Sequence, residues 1–104
     1  MNKINEGFIN VFIEKTHKSL QKIYPEQCLS YGDSKVKEII RYGIDQSKTY
    51  NITKENEVFK YISLMFILGK NFDNDASLPH VKKILNDDNI TNTNTKLMKI
   101  FETI

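Results

Sequence analysis

Apolar side chains in the first 24 residues recur at helical spacing, and lysines repeat on the opposite side of the pattern. The apolar positions are Phe8, Ile9, Phe12, Ile13, Leu20 and Ile23. Spacing by three and four residues predicts an amphipathic helix from about Asn5 to Tyr24. Pro25 ends it, because the residue before a proline is pushed out of the α conformation. Residues 26–32 are then predicted as a connection with room for one helical turn.

A second helix is predicted from Asp33 or Ser34 to about Asn51, since both first residues are good N-caps. Its apolar face consists of Val36, Ile39, Ile40 and Ile44. Gly43 lies inside this helix, where a glycine costs up to ~1 kcal/mol relative to alanine. We therefore expect close backbone packing against a neighbouring helix at Gly43. At the end of the helix, Asn51 is expected to adopt a left-handed conformation.

The third predicted helix, residues 54–68, is the most apolar and is therefore the expected centre of the fold. Thr53 is its predicted N-cap, and Gly69 is the residue expected to end it. The apolar residues of this helix are Val58, Phe59, Tyr61, Ile62, Leu64, Met65, Phe66 and Ile67.

Beyond the third helix, polar segments alternate with short apolar ones. Residues 70–77 are predicted as a loop with one large apolar residue, Phe72. A short helix over 79–85 and a last helix over 95–102 follow. No segment shows the period-two alternation of a strand. The sequence thus predicts an all-α fold, with residues 1–104 forming a single domain built as a small irregular bundle of four to five helices.

Composition and charge narrow the class of protein. The chain has 104 residues, 39% of them hydrophobic, and a formal net charge of +2. This balance shows no bias toward nucleic acid or an anionic membrane. One cysteine, Cys28, allows no intrachain disulfide. The polar start lacks the apolar segment of a secretion signal, and the longest apolar stretch is far below the ~20 residues that span a bilayer. We therefore expect a cytoplasmic protein.

The sequence contains no group of residues with the spacing of a metal site. The acidic loop 73–77 begins like a calcium loop, but Leu78 and Ile84 stand where such a loop needs glycine and glutamate. His17 and His80 lie on different predicted helices, with no cysteine at ligand spacing. We therefore predict no metal and no cofactor.

Cys28 is the one residue with the chemistry of a strong nucleophile. A thiol nucleophile needs at least a histidine partner, and neither histidine has a recognisable local context. An inert, partly buried thiol is the interpretation we favour. The sequence therefore predicts no catalytic residue and no enzymatic activity.

Basic residues on the first two predicted helices raise the question of nucleic-acid binding. They are interrupted by Glu14, Glu38 and Asp45, and Arg41 is the only arginine. Such faces are typical of solvated helices rather than of a nucleic-acid-binding stripe. A helix-turn-helix around residues 50–53 would be the alternative. Its recognition helix would be the third predicted helix, which is too apolar for that role.

Short motifs between residues 24 and 88 resemble those of a known bacterial family. They are Tyr24-Pro25-Glu26, Arg41-Tyr42-Gly43-Ile44, Tyr50-Asn51-Ile52-Thr53-Lys54-Glu55, Tyr61-Ile62-Ser63-Leu64-Met65-Phe66, Gly69-Lys70-Asn71-Phe72-Asp73, Leu78-Pro79 and Ile84-Leu85-Asn86-Asp87. The family consists of small, largely uncharacterised helical proteins, often encoded beside the spike, PAAR and toxin genes of type VI secretion clusters. Its motifs are caps, a helix glycine and core aromatics, so the resemblance implies a fold more than an activity.

Two positions depart from the family pattern. Asn51 stands where the family tends to have glycine, and a left-handed conformation tolerates asparagine. His80 stands where the family often has a tryptophan after the proline, so a partner contact made by that tryptophan would be altered here.

The resemblance implies a non-enzymatic accessory protein, an adaptor or chaperone that binds an effector, toxin or spike component. Two alternatives stay open: an immunity protein that neutralises a cognate toxin, and a small nucleic-acid-binding regulator. An immunity protein usually carries a strongly charged face that matches its toxin, and a net charge of +2 does not indicate one.

A protein-binding role requires an exposed surface, and helices this apolar predict an exposed patch. Its candidate residues are Phe59, Tyr61, Ile67 and Phe72. The family motifs add Asp73 and His80 as candidate partner-binding residues. As an alternative, the same patch would join two copies of the chain in a homodimer.

Overall fold

Six α-helices make up most of the fold. A computed structural model describes residues 8–104, and within them it contains α1 (Ile9–Ile23), α2 (Pro25–Tyr31), α3 (Asp33–Thr49), α4 (Glu55–Leu68), α5 (Pro79–Leu85) and α6 (Thr93–Phe101). A 3₁₀ turn covers Phe72–Asn74. The described part of the chain holds no β-strand, so the predicted all-α class is confirmed. The predicted start of the first helix, at residue 5, lies outside the described residues.

The segment after Pro25 forms a helix of its own, which raises the number of helices above the four to five predicted. As expected, α1 ends two residues before Pro25. Pro25 then begins α2, because the first helical residue has no intrahelical use for an N–H and the proline ring presets its φ. The helix stops at Gly32, whose φ of 85° is easily reached only by glycine.

The connection between α3 and α4 follows the prediction at one end only. Asn51 has a φ of 62°, which confirms its left-handed conformation. Thr53, however, is not the N-cap of α4, and that prediction was wrong. Lys54 is extended, and its carbonyl accepts the backbone N–H of Val58 at 2.8 Å, so the helix begins one residue later than predicted.

Helix α4 lies at the centre of the bundle, as predicted. It packs against α3, α6, α1 and the 3₁₀ turn. Eight of its 14 residues are buried, and they point to more than one side of the helix. Because an apolar helix must be covered on every apolar side, α4 determines where the other elements pack.

Gly43 lies where α3 and α4 come closest. A Cβ atom built on Gly43 would stand 2.6 Å from Cγ1 of Ile62 and 3.0 Å from Sδ of Met65. Real side chains do not approach so closely, and Cγ1 of Ile62 is not a flexible chain end that can swing away. The expected close packing at Gly43 is therefore confirmed, with α4 as the neighbour.

None of the helices within residues 8–104 has both the length and the apolar character needed to cross a membrane.

We predict that Gly43→Ala destabilises the protein, although alanine favours a helix. Overpacking typically costs ~1–3 kcal/mol, whereas the gain in helix propensity is at most ~1 kcal/mol. Urea unfolding monitored by circular dichroism measures the difference. Asp45→Ala, at an exposed position of the same helix, is the control for propensity alone. A Gly43→Ala protein more stable than the wild type would contradict the close contact.

Candidate functional site

An apolar groove lies between α1, α4 and α6. Its volume is about 850 Å³, and it is open to solvent along one side. Its lining residues are Phe12, Lys15, Thr16, Ser19, Tyr24, Glu55, Asn56, Phe59, Lys60, Ser63, Met98 and Phe101. Most of the exposed lining is apolar, which is typical of a binding site rather than of a solvated cleft.

The apolar side chains of the groove differ in how far they are covered. Phe12 is buried and forms part of the floor, whereas Phe59 and Phe101 are half-buried and Met98 is 43% exposed. Tyr24 is held at one end, because its ring stacks on Phe66 with 5.4 Å between ring centroids. The groove thus presents aromatic rings and a flexible thioether, side chains that are enriched at protein interfaces.

Two polar contacts attach the beginning of α6 to α4. The hydroxyl of Thr93 donates to the buried carboxylate of Glu57. The ammonium of Lys60 donates to Oδ1 of Asn94 at 2.7 Å. These contacts fix the first turn of α6 beside α4. They therefore help to hold the wall that carries Met98.

A second set of polar side chains is buried where the loop after α4 meets α3 and α4. Asp73 is only 1% exposed. Its Oδ2 accepts the hydroxyl of Tyr50 at 2.7 Å and the side-chain amide of Asn74 at 3.3 Å. Two further buried atoms, Oη of Tyr61 and Oδ1 of Asp73, have no hydrogen-bond partner among the described residues. Burial raises the pKa values of Tyr50 and Tyr61 above the ordinary range of a tyrosine. The nearby carboxylate of Asp73 raises both pKa values further.

The same loop is fastened at its surface. The hydroxyl of Tyr42 donates to Oδ1 of Asn71 at 3.0 Å, and Nζ of Lys70 lies 4.4 Å from the centre of the Tyr42 ring. Buried and exposed contacts together hold residues 70–74 against α3. Tyr42, Tyr50 and Tyr61 therefore have a structural role, which is to support this loop.

The six residues predicted to bind a partner do not form one surface. Tyr61, Phe72 and Asp73 are buried, so the prediction that Tyr61 and Phe72 are exposed was wrong. The cause is the 3₁₀ turn, which folds back on α4 and brings the rings of Phe72 and Tyr61 to 4.9 Å.

The other three predicted residues are accessible at separate places. Phe59 lines the groove. Ile67 is 41% exposed but does not line the groove. His80 is exposed, and its Nε2 lies 3.1 Å from the hydroxyl of Thr103.

Sequence reasoning missed most of the residues that line the groove. Met98 and Phe101 did leave a signal. The short helix α6 carries four apolar residues, and Leu97 and Ile100 alone are fully buried. Met98 and Phe101 therefore lie outside the face of α6 that packs into the core. Phe12 and Tyr24 left no comparable signal, because helix periodicity assigns Phe12 to the core and Tyr24 stands at the end of the helical pattern.

The residues with catalytic or metal-binding chemistry do not converge. Burial raises the pKa of the Cys28 thiol, and the Asp33 carboxylate raises it further, so the reactive thiolate is disfavoured. Nε2 of His17 lies 3.3 Å from Oδ1 of Asp33. Within residues 8–104, no three His, Cys, Asp or Glu side chains are grouped so that they would hold a metal ion.

In comparisons with known proteins, no family model, no curated protein and no solved structure matches this chain.

We predict that the buried tyrosines make the protein sensitive to alkali. A raised pKa means that the folded state favours the neutral phenol. The stability this supplies is complete below the unfolded pKa of ~10 and is lost as the pH rises above it. Replacing both tyrosines, Tyr50→Phe/Tyr61→Phe, should therefore flatten the fall in unfolding free energy between about pH 9 and pH 11.

Urea unfolding at a series of pH values measures this slope. Tyr31→Phe, at a half-exposed position, is the matched control and should keep the wild-type slope. Lysines also titrate in this range, so the comparison is between variants with the same lysines. A double variant with an unchanged slope would contradict the prediction.

Proposed function

We propose that this chain is a non-enzymatic accessory protein that binds a segment of a partner protein in the groove between α1, α4 and α6. The observation that carries the proposal is the set of large apolar side chains left accessible there, namely Phe59, Met98 and Phe101. Their exposure costs free energy in the free protein, and a partner that covers them recovers it.

The length of the groove suits an α-helix. Its lining residues on this side extend from Phe12 in α1 to Tyr24, the residue just after α1, and these stand about 18 Å apart at the rise of an α-helix. A docked helix of about three turns covers that length and presents anchors at positions i, i+4 and i+7. The open side favours a helix over a small molecule, since small ligands are usually enclosed on most of their surface.

The family resemblance supports a secretion context for the partner. Proteins with these motifs are often encoded beside type VI spike, PAAR and toxin genes. The partner would then be an effector, toxin or spike component, and this chain its adaptor or chaperone. The raised pKa of Cys28 argues against thiol catalysis at that residue.

Met98→Glu tests the proposal, because it places a charge in the groove at a position exposed enough to tolerate it. We expect capture of the partner, the product of an adjacent gene, by the tagged protein to fall at least about tenfold, the loss of a modest interface anchor. Ile67→Glu is the matched control, since Ile67 is 41% exposed and lies outside the groove lining. Circular dichroism melts establish that both variants are folded.

Two outcomes would contradict the proposal. One is equal capture by Met98→Glu and the wild type, and the other is capture of no partner at micromolar concentration. Co-expression with the adjacent toxin separates the roles: better toxin folding or loading without growth rescue supports an adaptor, and rescue of growth supports an immunity protein.

A further inference from the structure

The groove lining contains three charged side chains, and one of them, Lys60, lies near no opposite charge in the part of the chain that the structure describes. Nζ of Lys15 lies 3.6 Å from Oε1 of Glu55, so these two charges largely cancel. Lys60 donates to the neutral amide oxygen of Asn94. No carboxylate in residues 8–104 lies within 4 Å of its ammonium. Among the charged groove residues that the structure describes, Lys60 is therefore the one without an ionic partner in residues 8–104.

The nearest acidic residue on the same helix does not change this. Glu57 is one turn before Lys60, but it is buried and accepts the hydroxyl of Thr93. Lys15 is held by Glu55 at the surface, where its side chain is 66% exposed and remains hydrated. Lys60, in contrast, is half-buried next to Phe59.

When the groove is filled, Lys15 and Glu55 keep each other as ionic partners, whereas Lys60 has none among the described residues. An occupant that covers Phe59 and Met98 removes water from the neighbouring ammonium, and the loss of hydration of a charge is costly unless a partner replaces it. A carboxylate repays that cost through a charge-assisted hydrogen bond. A second ammonium would add repulsion to the loss of hydration.

Resting on the proposed function, we infer that the groove selects an acidic amphipathic helix, in which a carboxylate next to the apolar stripe pairs with Lys60. The apolar anchors supply most of the affinity, and Lys60 supplies the choice between partner helices. A fatty acid combines an apolar chain with a carboxylate, but the open side of the groove favours the helix.

Three peptides of about 18 residues test the inference. They share apolar anchors at i, i+4, i+7 and i+11 and carry glutamate, glutamine or lysine at the positions beside the stripe. Fluorescence anisotropy with the full chain measures their affinities. We expect the glutamate peptide to bind about tenfold more tightly than the other two, and the difference to shrink at high salt.

Variants of the protein assign this preference to one residue. Lys60→Gln should remove it while apolar binding remains, because the glutamine amide can still donate to Asn94 but carries no charge. Lys60→Glu should reverse it in favour of the lysine peptide. Lys99→Glu is the matched control: it makes the same change in charge at an exposed position of α6 outside the groove lining and should keep the glutamate preference.

The results that overturn the inference differ from those that overturn the proposed function. Equal affinity for the three peptides, or an unchanged preference in Lys60→Glu, overturns the role of Lys60, while Met98→Glu still tests the groove. Binding of none of the peptides overturns the acidic helix as occupant. If one equivalent of palmitate displaces the glutamate peptide and the three peptides bind with equal affinity, the occupant of the groove is a fatty acid instead.

Discussion

The contact of α3 with α4 at Gly43 is the constraint on which the remainder of the structure depends. With only a hydrogen atom at this position, Ile62 and Met65 pack directly on the backbone of α3. The approach places α4 deep in the bundle, where most of its apolar surface is covered. The surface of α4 that α3 does not reach is left for α1 and α6. The groove forms there, because α1 and α6 cover that surface only in part.

One side of α4 both holds α6 in place and lines the groove. Glu57 and Lys60 attach the start of α6, and Phe59 between them lines the groove. A change on this side of α4 therefore affects both the position of α6 and the shape of the groove. The buried Asp73 and its tyrosines lie elsewhere, under the loop after α4, and account for the folding of that loop.

Helical periodicity predicted the elements well and the surface poorly. The spacing of apolar residues located α3, α4 and α5 to within about two residues, because periodicity and caps are local properties. Tyr61 and Phe72 are buried because the loop after α4 folds back onto that helix. Since α4 is apolar on several sides, its sequence alone does not indicate which side the loop covers. The groove joins Phe12, Phe59 and Met98 from distant parts of the chain, so no local pattern could have indicated it.

The short connection between α3 and α4 has a consequence for the order of folding. Since few residues separate the two helices, bringing Gly43 and Ile62 together costs little loop-closure entropy. We expect this helical hairpin to form early, as contacts close in sequence generally do. We expect helix α6 to join α4 later, because the chain between them is longer. The wall of the groove is then a late structure, and an occupant that bridges α1 and α6 stabilises the last step of folding.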